Sequence, residues 1–483
     1  MQAQDKSLAQ KYQHKTDIEH VLSNPDTYTG SMDMSEWKAY ALTQDNATNH
    51  RIELRSIKTI PGLHKLFDEA IVNARDHHVR MSMSVLKDAH AVTKIDVSFN
   101  DDGSVTIYND GDGLDVAKHP DLDIWIPEMV FGKLRTSTNY DKTDLKIVGG
   151  KNGFGFKLVL IWSEWGLIET VDHRRGLKYT QRFTNNLGNI EAPRVAKSKV
   201  KPYTRVTFKP DYARLGIEKL TPDMLALMKR RVFDIAAVTD RSVRVKINGE
   251  IVPVRQFRPY LNLYPAMNEG SGAKPYESPN ARWEYAVCLT PYDEFAQVSF
   301  VNGIATPKGG KHVDYVTNQI VRKTVQLIKK KKKIDVRPAT VKEQLMLFLR
   351  CDIVNPGFDS QTKEYLTTPS SSFGSTCQVS DAFIDKVAKL GVMDAACALT
   401  EIKDTKAAKR SDGAKTKSIR GIPKLVDANL AGTSRSNECT LILCEGDSAK
   451  AGIVSGLNKK DRDTIGIYPM RGKLFNVRGE TQK

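Results

Sequence analysis

Just after Pro61–Gly62, apolar residues recur at i, i+3, i+4, i+7 and i+8. Leu63, Leu66, Phe67, Ala70, Ile71 and Ala74 make one stripe, which predicts a long amphipathic helix. The period then drops to two. In KIDVSFNDDGSVTIYND, alternation on both sides of Asp101–Gly103 predicts two strands joined by a tight turn. Strand-like runs continue between 158 and 210, with RVTFKP at Arg205–Pro210 the clearest. A helix is predicted over Pro222–Ala237, then a strand pair around the Asn248–Gly249 turn in RVKINGEIV. Residues 1–60 are mixed and polar, an N-terminal arm ending in the turn-like SNPDTYTG at Ser23–Gly30.

Composition shifts near 250. Residues 251–280 are rich in Pro, Tyr, Asn and Gly and read as the loop-bearing opening of a second α/β unit. WEYAVCLT and AQVSFVNGIAT supply its strands, and His312–Lys333 its helix, ending in five lysines at Lys329–Lys333. A further helical pattern spans Ser380–Leu399 and runs into the basic segment Lys403–Arg420. In CTLILCEGDSAKAG (Cys439–Gly452) an apolar strand turns through an acidic glycine loop into a helix. The pattern therefore divides into an arm (1–30), a first domain (31–248), a second (249–410), a linker (411–436) and a short α/β segment (437–483). The class is α+β.

Length and charge narrow the functions. With 483 residues, each unit can bury its own core. No run of about 18 apolar residues exists, so no membrane span is expected, and the polar start lacks a secretory core. The expected location is intracellular. Net charge is +16, from 73 Lys+Arg against 57 Asp+Glu, which favours a polyanionic partner because phosphate neutralisation releases counterions. A basic protein without such a partner has the same composition. The six cysteines are scattered without CxxC spacing and read as reduced thiols.

Five segments carry candidate chemistry. Glu69 and Asn73 lie four residues apart, hence on one helical face, away from the apolar stripe. A carboxylate there can take a proton from an attacking water, and an amide oxygen can hold Mg²⁺. The same spacing occurs on ordinary solvated helices. Asn109, in NDGDG at a strand end, can bond an adenine edge or simply make an Asx turn. Ser137, Thr138 and Asn139 are donors for ribose or phosphate oxygens, or a helix cap. GGKNGFGFKL at Gly149–Leu158 sets glycines and two lysines where backbone amides and ammonium groups can wrap a polyphosphate. QTK at Gln361–Lys363 reads alone as a surface loop.

Together, in this order, the motifs resemble the GHKL ATPases, above all the ATPase region of type IIA DNA topoisomerases in the eukaryotic and large-virus form. PGLHKLFDEAIVNARD, TSTNYD, GGKNGFGFKL, NPGFDSQTKEYL, RGIPKLVDAN, TLILCEGDSAKAG and YPMRGKLFNVR carry the resemblance from about Lys11 to Arg478. It implies a GHKL (Bergerat) sandwich, a transducer like ribosomal S5 domain 2, and a partial TOPRIM segment. It implies Glu69 as general base, Asn73 as Mg²⁺ ligand and Asn109 as adenine reader. Ser137, Thr138 and Asn139 would meet nucleoside and phosphates, and Asp76 would join the nucleotide site. Gly150, Lys151, Asn152, Gly153, Phe154, Gly155, Phe156 and Lys157 would form the phosphate lid. Gln361, Thr362 and Lys363 would reach in from the second domain to the γ-phosphate. Lys151, Phe154, Phe156 and His77 depart from the residues usual in that family. Tyr12 and Lys15 resemble arm residues that cross to a partner protomer's nucleotide.

The resemblance further implies double-stranded DNA as partner, met by Lys329, Lys330, Lys331, Lys332 and Lys333, although a charge run is also an ordinary solvated face. Glu445 resembles the first TOPRIM acid, a Mg²⁺ ligand. One carboxylate is not a two-metal site. The later acids and the catalytic tyrosine are missing from this sequence, so DNA cutting is expected from a cleavage core, on the same polypeptide or a separate subunit. The expected function is an ATP-driven, homodimerising gate for strand passage. The alternative is a MutL- or Hsp90-like clamp without strand passage. Nucleus, host cytoplasm or viral factory are its expected locations, according to source.

Overall fold

The computed structural model describes residues 12, 14–44, 49–134, 136, 146–150, 153–268, 274–292, 294–400, 424–458 and 460–470. Helix α1 (Asp17–Ser23) begins with a capping box in which Thr16 and Glu19 satisfy each other's backbone amides. The hairpin of β1 (Ser35–Gln44) and β2 (His50–Thr59) follows, paired from Ser35↔Thr59 to Gln44↔His50. Neither element was predicted. The Thr16-x-x-Glu19 signature announced the first; weak alternation in SEWKAYALTQ hid the second, whose first four residues are all exposed.

Helix α2 (Pro61–Ser82) is central. Pro61 in its first turn forfeits only an amide that no helix start would use. The predicted apolar stripe is buried, but so are Lys65, Asp68, Glu69, Arg75 and Asp76. The polar face expected to lie away from the core is therefore covered by the rest of the chain.

A nine-stranded sheet supports this helix. Its strands are β3 (Lys94–Phe99), β4 (Val105–Asp110), β5 (Ser163–Asp172), β6 (Leu177–Thr184), β7 (Asn189–Ile190), β8 (Arg194–Lys197), β9 (Tyr203–Pro210), β10 (Arg244–Ile247) and β11 (Glu250–Ile251). The order is β11-β10-β3-β4-β9-β5-β6-β7, with β8 also on β6. Only β10 runs parallel to its neighbour β3; the other pairings are antiparallel. The β3–β4 hairpin is as predicted, and its inward residues Ile95, Val97, Val105 and Ile107 share one core with α2. Helices α3 (Ile126–Gly132), α4 (Gly155–Ile161) and α5 (Pro222–Val238) complete the layer. Against Leu227 of α5 pack Ala39, Ala41 and Ile57 of the first hairpin, an apolar patch set apart from the main core.

The second unit is a five-stranded sheet of order β12-β13-β17-β14-β15. Its strands are β12 (Tyr276–Asn280), β13 (Trp283–Leu289), β14 (Ala296–Val301), β15 (Ile304–Ala305) and, after a short β16 (Gly309–Gly310), β17 (Leu345–Cys351). β16 pairs with β18 (Tyr365–Leu366). Strand β17, LMLFLRC, is apolar at successive positions because both faces are buried. Leu345, Leu347 and Leu349 face a core shared with helix α6 (Lys311–Lys332); Met346 and Phe348 join the core of the first unit.

Residues 252–267, predicted as a loop-bearing opening, also enter that first core through Val252, Val254, Phe257, Tyr260, Leu261, Tyr264 and Met267. The segment joins the two units through buried apolar side chains. The helix predicted over Ser380–Leu399 is interrupted: α7 (Asp381–Ala388) ends before Gly391, at φ +86°, and helix resumes at 392. Left-handed φ is incompatible with a continuous α-helix. Last, β19 (Thr440–Glu445) and β20 (Ile465–Met470) pair in parallel beside α8 (Gly446–Gly456), around the small core of Cys444, Val454 and Ile467. All six cysteines are free, and only Cys439 is partly exposed. Among the described residues no helix is long and apolar enough to cross a membrane.

Candidate active site

Two long-range contacts build the site. Glu69, on the buried face of α2, is 7% exposed. Lys363, 294 residues later in the second unit, donates from Nζ to Glu69 Oε1 at 2.8 Å and Oε2 at 3.2 Å. Lys363 sits in the left-handed region at φ +60°. A lysine held there is an uncommon backbone state, of the kind that collects at functional sites. Lys65, one turn before Glu69, lies 3.0 Å from the same Oε1 and donates to Asp68 at 2.9 Å. Asp68 in turn accepts from Arg231 of α5 at 2.6 Å, and Arg231 reaches the Gly303 carbonyl of the second unit at 2.6 Å. Sequence reading missed Lys65, though its i,i+4 spacing to Glu69 marked it.

Burial alone would raise the Glu69 carboxyl, but the ammonium groups of Lys363 and Lys65 outweigh it and hold it below its ordinary value. Glu69 is thus a fixed carboxylate with an adjustable cation against it. Asn73 follows one turn later, half-buried on the same helical face. Gly155 opens α4 directly over the acid: a Cβ there would stand 2.5 Å from Glu69 Oε2. No other residue type fits without moving the carboxylate.

The lid is anchored from beneath. Fully buried Asp76 accepts from the Gly149 amide at 2.9 Å and the Gly150 amide at 2.8 Å. The carboxylate therefore faces the lid's backbone. The Phe156 ring is in the core, 5.0 Å from Phe131 and 6.3 Å from Phe208. Phe154 is half-buried and tilts on Tyr28 at 6.3 Å. Gly153 has φ +68°. Lys157 is 4% exposed, with Nζ donating to the carbonyls of Gly153 at 2.7 Å and Thr136 at 2.6 Å. Burial lowers this lysine to about 8. Among the described residues this ammonium donates only to carbonyls, an arrangement that suits an incoming phosphate.

Asn109 is buried at the end of β4 and donates to the Asp110 carbonyl at 2.9 Å. His77 Nε2 lies 2.7 Å from the Asp112 carbonyl, which can only accept, so this nitrogen carries the proton. Burial lowers His77 to about 4, keeping it neutral. Gly113 approaches β5 so closely that a Cβ would lie 2.0 Å from the Val171 carbonyl oxygen. Thr362 engages Ser360 within its own turn at 2.8 Å, and Gln361 is half-buried beside it. Ser137, Thr138, Asn139, Lys151 and Asn152 lie outside the described residues.

The other predicted residues are apart from this site. Lys329–Lys332 form the last turn of α6, where cations complement the carbonyl end of the helix dipole, and Lys333 caps it at φ +59°. All five are exposed, and three already meet carboxylates: Lys329 with Asp335 at 3.0 Å, Lys331 with Asp385 at 3.8 Å, Lys332 with Asp394 at 3.0 Å. Glu445 is exposed at the end of β19. Tyr12 is 72% exposed, and Lys15 donates to Ser23 at 2.9 Å.

A helix-on-sheet sandwich, a buried acid under a glycine lid and a lysine delivered by a second sheet are the architecture of the GHKL ATPases joined to a transducer. Comparison with known proteins agrees. A family model described as DNA gyrase B matches residues 255–417. DNA topoisomerase 2 of Acanthamoeba polyphaga mimivirus is 42% identical, the match covering 99% of this chain and 37% of that protein. The crystal structure of the ATPase region of Saccharomyces cerevisiae topoisomerase II is 37% identical with a TM-score of 0.75, over 82% of this chain and 100% of that one. The ATPase and transducer domains of DNA topoisomerase II from Balamuthia mandrillaris are 36% identical with a TM-score of 0.76, over 82% and 99%. The chain belongs to the type II DNA topoisomerase family and corresponds to its ATPase and transducer region. It spans about a third of the length of the curated relatives it matches, 37%, 32% and 34% for the first three.

Proposed function

We propose that this chain is the ATP-operated gate of a type II DNA topoisomerase. The observation that carries the reading is the 2.8 Å contact between Lys363 and Glu69, because it ties the catalytic acid of one unit to a cation borne by the other. Before nucleotide arrives, Lys363 rests on Glu69 and keeps its basicity low. A triphosphate offers Lys363 a stronger anionic partner. As the ammonium turns to the terminal phosphate, Glu69 loses a cation and gains proton affinity, just where a water must be activated. Since Lys363 rides on the second unit, the state of the phosphate biases the position of that unit.

Lys157 and the lid amides of Gly150 to Gly153 would receive phosphates; Asn109, with Ser137, Thr138 and Asn139, would hold the nucleoside. Asn73 supplies one oxygen suited to Mg²⁺, a hard ion that takes its remaining ligands from water and phosphate and neutralises phosphate charge when bound. Two protomers, meeting through arms that carry Tyr12 and Lys15, would enclose an intracellular duplex near Lys329–Lys333. A cleavage core, with Glu445 as its first acid, would cut and reseal the other duplex.

The test compares wild type with Glu69→Ala in ATP turnover, nucleotide binding and nucleotide-dependent dimerisation. The variant should bind and dimerise while turnover falls on the order of 100-fold or more, the usual worth of a general base. Undiminished turnover would remove Glu69 from the role.

A further inference from the structure

Three side chains outside the phosphate site converge beside the Asn109–Gly113 turn. They come from three loops: His90 after α2, Asp112 after β4, and His173 in the β5–β6 turn. Each offers one donor atom, and the donors lie within 4.8 Å of one another. Asp112 Oδ1 is 3.3 Å from His90 Nδ1 and 3.7 Å from His173 Nδ1. The two rings meet edge to face with centroids 4.3 Å apart.

Hydrogen bonds around the cluster orient its donors. His173 Nε2 lies 3.2 Å from the Asp88 carbonyl, which can only accept, so the ring's proton belongs on Nε2. That turns the Nδ1 edge of His173 toward the Asp112 carboxylate. An imidazole whose far N–H is held by a carbonyl is the usual outer partner of a metal ligand. Asp112 is also braced: Oδ1 accepts the His90 backbone amide at 2.8 Å and Oδ2 accepts from Arg174 at 2.7 Å. Asp88 takes the rest of the Arg174 guanidinium at 2.9 Å.

We propose that His90, Asp112 and His173 form a binding site for a divalent transition metal of the Zn²⁺ class. A tetrahedral ion with ligand bonds of about 2.0–2.1 Å needs donors about 3.3–3.4 Å apart; His90 and Asp112 already have that spacing, and a small approach of His173 from 3.7 Å draws the set together. Two imidazoles and one carboxylate suit Zn²⁺ better than Mg²⁺ or Ca²⁺, which want oxygen. Arg174 sharpens this preference by offsetting part of the charge that a hard cation needs. Water takes the fourth position on the exposed His90 side. An ion here fastens three loops together, and the Asp112 carbonyl passes that restraint to His77 on α2.

The full chain, stripped with a chelator, is titrated with Zn²⁺ against a chromophoric competitor, in parallel with His90→Ala, His173→Ala and Cys439→Ser. Wild type should take up one equivalent, and its thermal midpoint should rise with Zn²⁺. Each histidine variant should lose at least roughly ten-fold in affinity, whereas Cys439→Ser should keep it. Cobalt should give an absorption spectrum with nitrogen and oxygen ligands and no thiolate band. His90 is half-exposed on a loop, so its variant retains the fold. Absence of stoichiometric uptake, unchanged affinity in the histidine variants, or loss in Cys439→Ser overturns the site; none of these bears on Glu69 or ATP.

Discussion

Lys157 is the residue on which pH should act most visibly. Folding depresses it from 10.5 to about 8, so between those values the unfolded chain binds more protons than the folded one. Stability gains from this group as pH rises through that window. Nucleotide affinity should move the opposite way, because a phosphate needs the charged ammonium: affinity is full below pH about 8 and falls above it. Fluorescent-nucleotide titrations across that range should show the fall in wild type and a weaker, flatter profile in Lys157→Met. Gly155 makes a second prediction at this scale. In Gly155→Ala the new methyl must displace the Glu69 carboxylate, so turnover should drop on the order of 100-fold while the melting temperature hardly changes. A steady-state ATPase assay with a thermal melt separates the two. The glycine was visible in sequence as part of a lid, yet its contact with Glu69, 86 positions earlier, was not. Phe156 shows the converse, a lid position in sequence whose ring the fold buries in the core.

Helix α6 shows what an element decides. Its last turn gathers lysines that the helix dipole favours on its own account, and three of them have carboxylate neighbours. Exposed pairs of this kind contribute about 0–1 kcal/mol, so a phosphate can replace the carboxylates readily. Replacing Lys329–Lys333 by Ala should therefore reduce the slope of log affinity for duplex DNA against log salt by roughly 2–4 units, with basal ATP turnover unchanged. Asp335, Asp385 and Asp394 to Asn should have the reverse effect. Both are read by binding isotherms at several salt concentrations; an unaltered slope would return the lysines to solvated helix end. Helix α2 was legible by period, as were the β3–β4 hairpin and α5. The break at Gly391 was not, because the apolar spacing continues through a residue whose backbone turns left-handed.

Across the whole molecule, one buried amide holds the units in register. Asn302, fully buried at φ +51°, donates to the carbonyls of Val148 at 3.2 Å and Ile353 at 2.9 Å, and accepts the Ile353 amide at 2.7 Å. Val148 leads into the lid and Ile353 toward Lys363, so this side chain sits between the two halves of the site. Arg75 with Asp352 at 2.8 Å and Arg231 with Gly303 at 2.6 Å close the same seam. Asn302→Ala should cost about 1–3 kcal/mol for each buried group left unpaired. Denaturant unfolding should report that loss, and ATP turnover should fall although no nucleotide contact is touched.

Local order determined the elements and the inventory of chemistry. Helical spacing paired Glu69 with Asn73, alternation made the hairpins, and glycines marked the lid, because backbone sterics and side-chain period act over a few residues. Partnership was decided only by the tertiary fold. Lys363 reaches Glu69 and Asn302 clasps Val148 to Ile353, since apolar burial on both faces of β17 joins the two units; Asp112 meets His90 and His173 because the first unit's sheet gathers their three loops. Burial then gave those polar groups their energetic weight: a charge that water would screen must, inside, find its counterpart.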